Sequence, residues 1–68
     1  MPKGTVKWFN ADRGFGFIKS QDGGDDVFVH ITELRRIGLD TLREGQTIEF
    51  DLVQYRGRVV AGNLKLPR

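Results

Sequence analysis

The 68-residue chain contains no cysteine and a single histidine, His30. Without thiols it can form no disulfide, and neither a four-sulfur nor a Cys/His zinc site can be assembled. Chains below roughly 70–80 residues seldom draw more than about 3–5 kcal/mol of net stability from their core. This one must therefore stand on packing and hydrogen bonds alone. No apolar stretch approaches the roughly 20 residues needed to span a bilayer. The opening Met1-Pro2-Lys3-Gly4 leads into alternating polar and apolar residues, unlike the apolar segment of a secretory signal. A cytoplasmic address with no membrane partner is expected. Large excess charge is also missing, since 11 Lys and Arg stand against 9 Asp and Glu, a net +2. That balance proves no polyanion partner by itself. The distribution is uneven, however. Up to Lys19 there are four basic residues and one acid, Asp12, whereas Asp22 to Asp26 holds three acids and no base.

Internal repeats, linkers and low-complexity segments are absent too, so residues 1–68 are expected to form one domain. Glycines and short polar clusters divide the chain into strand-length pieces. Lys3–Asn10 reads as a first strand, followed by a turn at Ala11-Asp12-Arg13-Gly14. Phe15–Ser20 reads as a second strand, closed by the hairpin signal Gln21-Asp22-Gly23-Gly24. Asp26–Ile31 is a third and Gln46–Val53 a fourth, with Ile48, Phe50 and Leu52 alternating against Thr47, Glu49 and Asp51. Arg56-Gly57 then turns into a fifth over Val59–Leu66. Between the third and fourth strands, Thr32–Leu42 is expected to hold one short helical turn, interrupted at Gly38. Five short strands with one long connection suit a small closed barrel, which also removes exposed sheet edges.

Successive residues of a strand point to opposite faces. In the third strand Val27, Val29 and Ile31 share one face, and three β-branched residues claim the core against Phe28 and His30. In the second strand Lys19 shares its face with Phe15 and Phe17. Phenylalanine on a strand is ordinarily core, and strand two alone leaves the question even. Strand three and Lys19 together favour a solvent-facing aromatic patch. Leaving such rings outside the core forfeits about 1.5–3 kcal/mol of burial each. Stacking against nucleic-acid bases would return about 1–3 kcal/mol per base, with little regard to sequence. Lys7, Arg13, Lys19 and Arg56 fall where they could meet phosphates around such a platform.

Lys7-Trp8-Phe9-Asn10, then Arg13-Gly14-Phe15-Gly16-Phe17-Ile18, then Val27-Phe28-Val29-His30-Ile31 resemble the cold-shock domain family. The likeness runs through Leu42-Arg43-Glu44-Gly45-Gln46 and covers essentially the whole chain. It implies an all-β fold, a five-stranded antiparallel barrel of the oligonucleotide-binding type, gripping single-stranded RNA or DNA on its aromatic face. Carried over residue by residue, it implies that Trp8, Phe15, Phe17, Phe28 and His30 stack on bases. Lys7, Arg13 and Arg56 would be polar or phosphate contacts, and Phe9 would sit at the platform's margin. Val6 and Trp8 have the same parity, so a core Val6 and a surface Trp8 require a bulge or strong twist between them. The sequence departs from the family at Ile31 and Leu39, where many members carry aromatics. Tyr55 could supply a compensating ring, although a partly exposed turn residue is the plainer reading.

Other chemistries find little support. Asp25 and Asp26 are adjacent on a strand and point apart, as solvated hairpin charges do. His30 has no nucleophile or orienting partner to make it a general base, and no second histidine or cysteine to share a metal. Arg35-Arg36 reads as a solvated pair within phosphate reach. An enzyme is therefore not expected, nor any cofactor or small-molecule substrate. An RNA recognition motif would need two helices for which the chain has no room. Two readings remain open: a single-strand binder of low sequence specificity acting as an RNA chaperone without ATP, and a barrel whose aromatic patch docks a protein. The resemblance implies roles in transcription and translation under stress. A monomer is expected, with a strand-exchanged dimer open to so small a barrel.

Overall fold

Alternating apolar residues produce the expected strands, and their pairing fixes which alternation faces inward. The computed structural model describes residues 3–21 and 23–67. It contains β1 (Lys3–Asn10), β2 (Phe15–Ser20), β3 (Val27–His30), a short helix α1 (Ile31–Arg35), β4 (Thr47–Tyr55) and β5 (Arg58–Lys65). The strands close into a barrel in the order β1-β2-β3-β5-β4. All pairings are antiparallel except the closing contact of β3 with β5, which runs parallel at Phe28↔Val60. The long connection between β3 and β4 permits this exception, because it lets β5 arrive beside β3 from the opposite end.

Among the described residues, ten apolar side chains form the core, with Phe50, Ile18, Leu34, Ile48, Val6 and Val29 the largest that are fully enclosed. Phe9, Ile31 and Leu39 pack against this core from its edge. Ile31, expected as the last inward residue of the third strand, instead opens α1 and is only half-buried. Its N–H remains tied to the Gly14 carbonyl at 2.8 Å. The helix begins at the His30 cap and ends where Gly38 adopts φ 78°. There the Leu39 N–H donates to the Leu34 carbonyl at 2.9 Å and the Gly38 N–H to the Arg35 carbonyl at 3.1 Å. These two bonds form a Schellman termination, so Gly38 stops the helix by supplying a left-handed residue. The expected turn at Gln21–Gly24 includes Asp22, which lies outside the described residues.

Two register shifts shape the barrel. In β1, Val6 pairs with Ile18 but Trp8 pairs with Phe17, leaving Lys7 as an extra residue. This is the bulge that the common parity of Val6 and Trp8 requires. The second shift lies between β4 and β5, where Glu49 pairs with Lys65 but Asp51 with Gly62. Here β5 carries the extra residue, at Asn63 with φ 48°, and the Asn63 amide donates to the Asp51 carboxylate at 3.1 Å. Beyond Ala61, the last core residue on this side, the β4–β5 hairpin projects past the core. Leu52 continues the alternation of Ile48 and Phe50, yet it is 56% exposed while Phe50 is wholly buried.

One apolar stripe of β4 thus contains two energetically different residues. Phe50→Ala is expected to cost about 3–5 kcal/mol, comparable to the whole net stability of so small a domain. Leu52→Ala should stay within about 0.5 kcal/mol. Circular-dichroism melting of both variants checks the assignment, and equal losses would contradict it.

Candidate nucleic-acid interface

The bulge at Lys7 places Trp8 on the outer surface opposite Phe17, and β2 and β3 align Phe17 with Phe28 and Phe15 with His30. Cross-strand neighbours on one face approach closely enough for rings to touch. Trp8 lies 5.6 Å from Phe15 and 5.4 Å from Phe17, centroid to centroid. Phe28 stacks on Phe15 at 5.7 Å and meets Phe17 edge-on at 5.8 Å. His30 continues the row at 6.4 Å from Phe28. Five rings therefore form one unbroken patch, each propped against a neighbour at a favourable aromatic spacing. Trp8 and His30 are exposed, and the three phenylalanines are half-buried, showing part of each ring to solvent.

Phe9 does not join this patch. The bulge that turns Trp8 outward turns Phe9 inward, where it packs against the core. Phe9 is half-buried, packed against the edge of the core rather than in ring contact with the row. Phe9 occupies the space that a side chain at Gly16 would need, since a Cβ there would lie 2.6 Å from Phe9 Cδ2 and against the Trp8 carbonyl. The glycine on the inner face of β2 is required by the close approach of the β1 backbone at Trp8 and Phe9 together with the Phe9 ring, and Phe15 and Phe17 keep the outer face.

His30 is held from one side only. The backbone N–H of Thr32 lies 3.2 Å from His30 Nδ1. That N–H can only donate, so Nδ1 is the acceptor, and the neutral ring carries its proton on Nε2. The Thr32 hydroxyl adds a second donor to Nδ1 at 3.0 Å. The histidine thus caps α1 while its other nitrogen remains available at the surface.

The candidate cations occupy different places. Arg13 lies exposed in the β1–β2 turn, its N–H bound to the Asn10 side chain at 3.0 Å. Lys19 is exposed two residues beyond Phe17 on the same face of β2. Lys7, the bulged residue, forms an ion pair with Asp26 at 2.8 Å. Asp26 is therefore engaged rather than simply solvated, a contact between residues 19 apart that strand parity could not reveal. Arg56 stands apart at the tip of the β4–β5 hairpin, over the Tyr55 ring at 5.4 Å from its centroid. Tyr55 lines a groove together with Phe28 and His30. The sequence left it as a turn residue, because a parallel β3–β5 pairing cannot be read from local alternation.

A family model described as the 'Cold-shock' DNA-binding domain matches residues 2–67. The chain belongs to the cold-shock domain family. It is 54% identical over 67 residues to "Probable cold shock protein y4cH" of Sinorhizobium fredii, covering 96% of this chain and 97% of the relative. It is 52% identical over 65 residues to "Cold shock-like protein CspC" of Bacillus cereus, with 94% and 98% covered. "Cold shock protein CspA" of Rhizobium meliloti is 48% identical over 67 residues, with 96% and 97% covered. The cold-shock domain is an oligonucleotide-binding fold, and the five-stranded ring described above has that architecture. Nucleic-acid binding is the function that membership carries. Among the described residues, no helix is long and apolar enough to cross a membrane.

Two local contacts of this cold-shock domain make separable predictions. Asp26→Asn releases Lys7 from a surface pair worth at most about 1 kcal/mol. Oligonucleotide affinity should rise and the slope of log affinity against log salt should steepen by about 0.7 for one added phosphate contact. An unchanged slope would remove Lys7 from the contact set. At His30, asparagine preserves a capping acceptor and alanine does not. His30→Ala should therefore cost about 0.5–2 kcal/mol of stability that His30→Asn largely retains, measured by denaturant unfolding.

Proposed function

We propose that this protein binds single-stranded RNA or DNA with low sequence specificity, by stacking successive bases on Trp8, Phe17, Phe15, Phe28 and His30. The unbroken row of partly exposed rings supports this most directly. Every base offers a π-face, so a row of rings accepts any base and favours a strand whose bases are unpaired. Lys7, Arg13 and Lys19 flank the row and would meet phosphates, adding a salt-sensitive, sequence-independent attraction. Phe9 contributes indirectly by supporting the strand beneath Trp8, and Arg56 contacts the strand away from this row.

A ligand that prefers the unpaired state melts secondary structure by mass action and needs no fuel. On this reading the protein works as a free-standing, monomeric RNA chaperone in the cytoplasm. It would keep transcripts open during transcription and translation under cold or other stress. It catalyses no reaction, and a measured ATP-dependent helicase activity would overturn this assignment.

The test is a fluorescence titration of Trp8, the chain's single tryptophan, with an unstructured pyrimidine-rich oligonucleotide at several salt concentrations. Strong quenching is expected, with a log–log salt slope of about −2 to −3 for three or four phosphate contacts on a single strand. A silent Trp8 and no binding would reassign the ring patch to protein docking. Phe15→Ala, Phe17→Ala and Phe28→Ala should each weaken binding by about 1–3 kcal/mol. Their melting temperatures should fall far less than that of Phe50→Ala, because these rings keep a solvent-facing side.

A further inference from the structure

The ring patch has two possible continuations beyond His30. One leads toward Ile31 and Leu39, which are aliphatic and pack partly into the core. The other is a groove of about 620 Å³ between the β3–α1 corner and the β4–β5 hairpin, within the roughly 300–1,000 Å³ typical of ligand clefts. Phe28, His30, Val60, Val53 and Tyr55 are among the residues that line it. The pairing that closes the barrel makes this route continuous. Phe28 pairs with Val60, Val60 pairs with Val53, and Tyr55 follows Val53 by two residues along β4. At ordinary sheet spacings Tyr55 lies about 10 Å across and about 7 Å along from Phe28.

Tyr55 presents its ring to solvent. It is 60% exposed, and its location on the hairpin beyond the core gives it no packing role. The Arg56 guanidinium lies over the ring at 5.4 Å. The turn holds it there, since Arg56 has φ 51° and Gly57 φ 79°, the paired left-handed conformation of a tight type I′ hairpin. A cation at that position both orders the ring and offers a phosphate partner beside it. Arg36 also lines the groove, its guanidinium 3.7 Å from the Glu33 carboxylate that lines it too.

Resting on the single-strand reading above, we propose that the bound strand leaves His30 through this groove and that a further base stacks on Tyr55, with Arg56 contacting the adjoining phosphate. The path therefore crosses β3 to the β4–β5 hairpin rather than following Ile31 and Leu39. The two readings separate by oligonucleotide length, because about 4 nucleotides suffice for the ring row whereas about 8 would also reach the hairpin tip.

The experiment titrates Trp8 fluorescence with oligodeoxythymidines of about 4 and about 8 nucleotides in wild type, Tyr55→Ala, Tyr55→Phe, Tyr55→Leu and Leu39→Ala, each first checked for an unchanged circular-dichroism spectrum. Tyr55→Ala and Tyr55→Leu should lose about 5- to 10-fold in affinity for the longer strand, the low end for removal of a stacked base, and nothing for the shorter. Tyr55→Phe should restore the wild-type value, and Leu39→Ala should match wild type on both. In a Trp8→Phe/Tyr55→Trp variant, the new tryptophan should be quenched by the longer strand only. Equal losses on both lengths, no loss on the longer, or a Tyr55→Leu that binds like wild type would overturn the Tyr55 site while leaving the ring row intact. A wild-type Trp8 silent to both lengths would instead overturn the single-strand reading, and the Tyr55 site with it.

Discussion

One extra residue in β1 governs the ring patch. Without Lys7 as a bulge, the two-residue period of a strand would send Val6 and Trp8 to the same side. Either the core would lose Val6 or the surface would lose its tryptophan. With the bulge, Val6 packs against Ile18 within the barrel and Trp8 meets Phe17 outside it. The same shift turns Phe9 inward, and the Trp8 carbonyl together with Phe9 leaves room for nothing larger than glycine at position 16. The arrangement of β2, with rings outward and Gly16 inward, is thus a steric consequence of an irregularity in its neighbour.

The core and the ring patch make opposite demands on the same short strands. A domain of this size gains stability by burying apolar area, yet five rings are kept at least partly in solvent. The conflict is softened in two ways. The rings lean on one another at 5.4–6.4 Å, recovering contact area that water would otherwise cover. Their inner neighbours, Ile18, Val27 and Val29, are buried almost completely, so each strand still contributes a full apolar side. Phe50 supplies the large side chain that the outward phenylalanines withhold from the interior.

The irregular features also divide the molecule by function. Bulge, turn and cap residues, among them Lys7, Arg13 and His30, sit at the margins of the ring row. There the chain is free to present polar groups that regular pairing would direct elsewhere. His30 illustrates the economy of the design, since its Nδ1 terminates α1 while its ring extends the row of Phe15 and Phe28. Beyond Ala61 the β4–β5 hairpin runs clear of the core, and Leu52, Val59 and Tyr55 are exposed.

Local alternation and turn chemistry were enough to locate five strands, the short helix and the outward set Phe15, Phe17, Phe28 and His30, because these follow from a period of two and from glycine's tolerance of positive φ. The motif spacing identified the family, and the shared parity of Val6 and Trp8 even required the bulge. With Trp8 outward, the two-residue period already sends Phe9 inward, so that turn was legible in the sequence although it was not drawn. The exposure of Leu52 escaped because alternation fixes the face of a side chain and not where along the strand the core ends. The Lys7–Asp26 pair and the groove joining Phe28 to Tyr55 depend on strands far apart in sequence. The ion pair needs β1 and the entry to β3 brought together across β2, whereas the groove exists because the barrel closes through the parallel β3–β5 contact, and both are decided by tertiary structure.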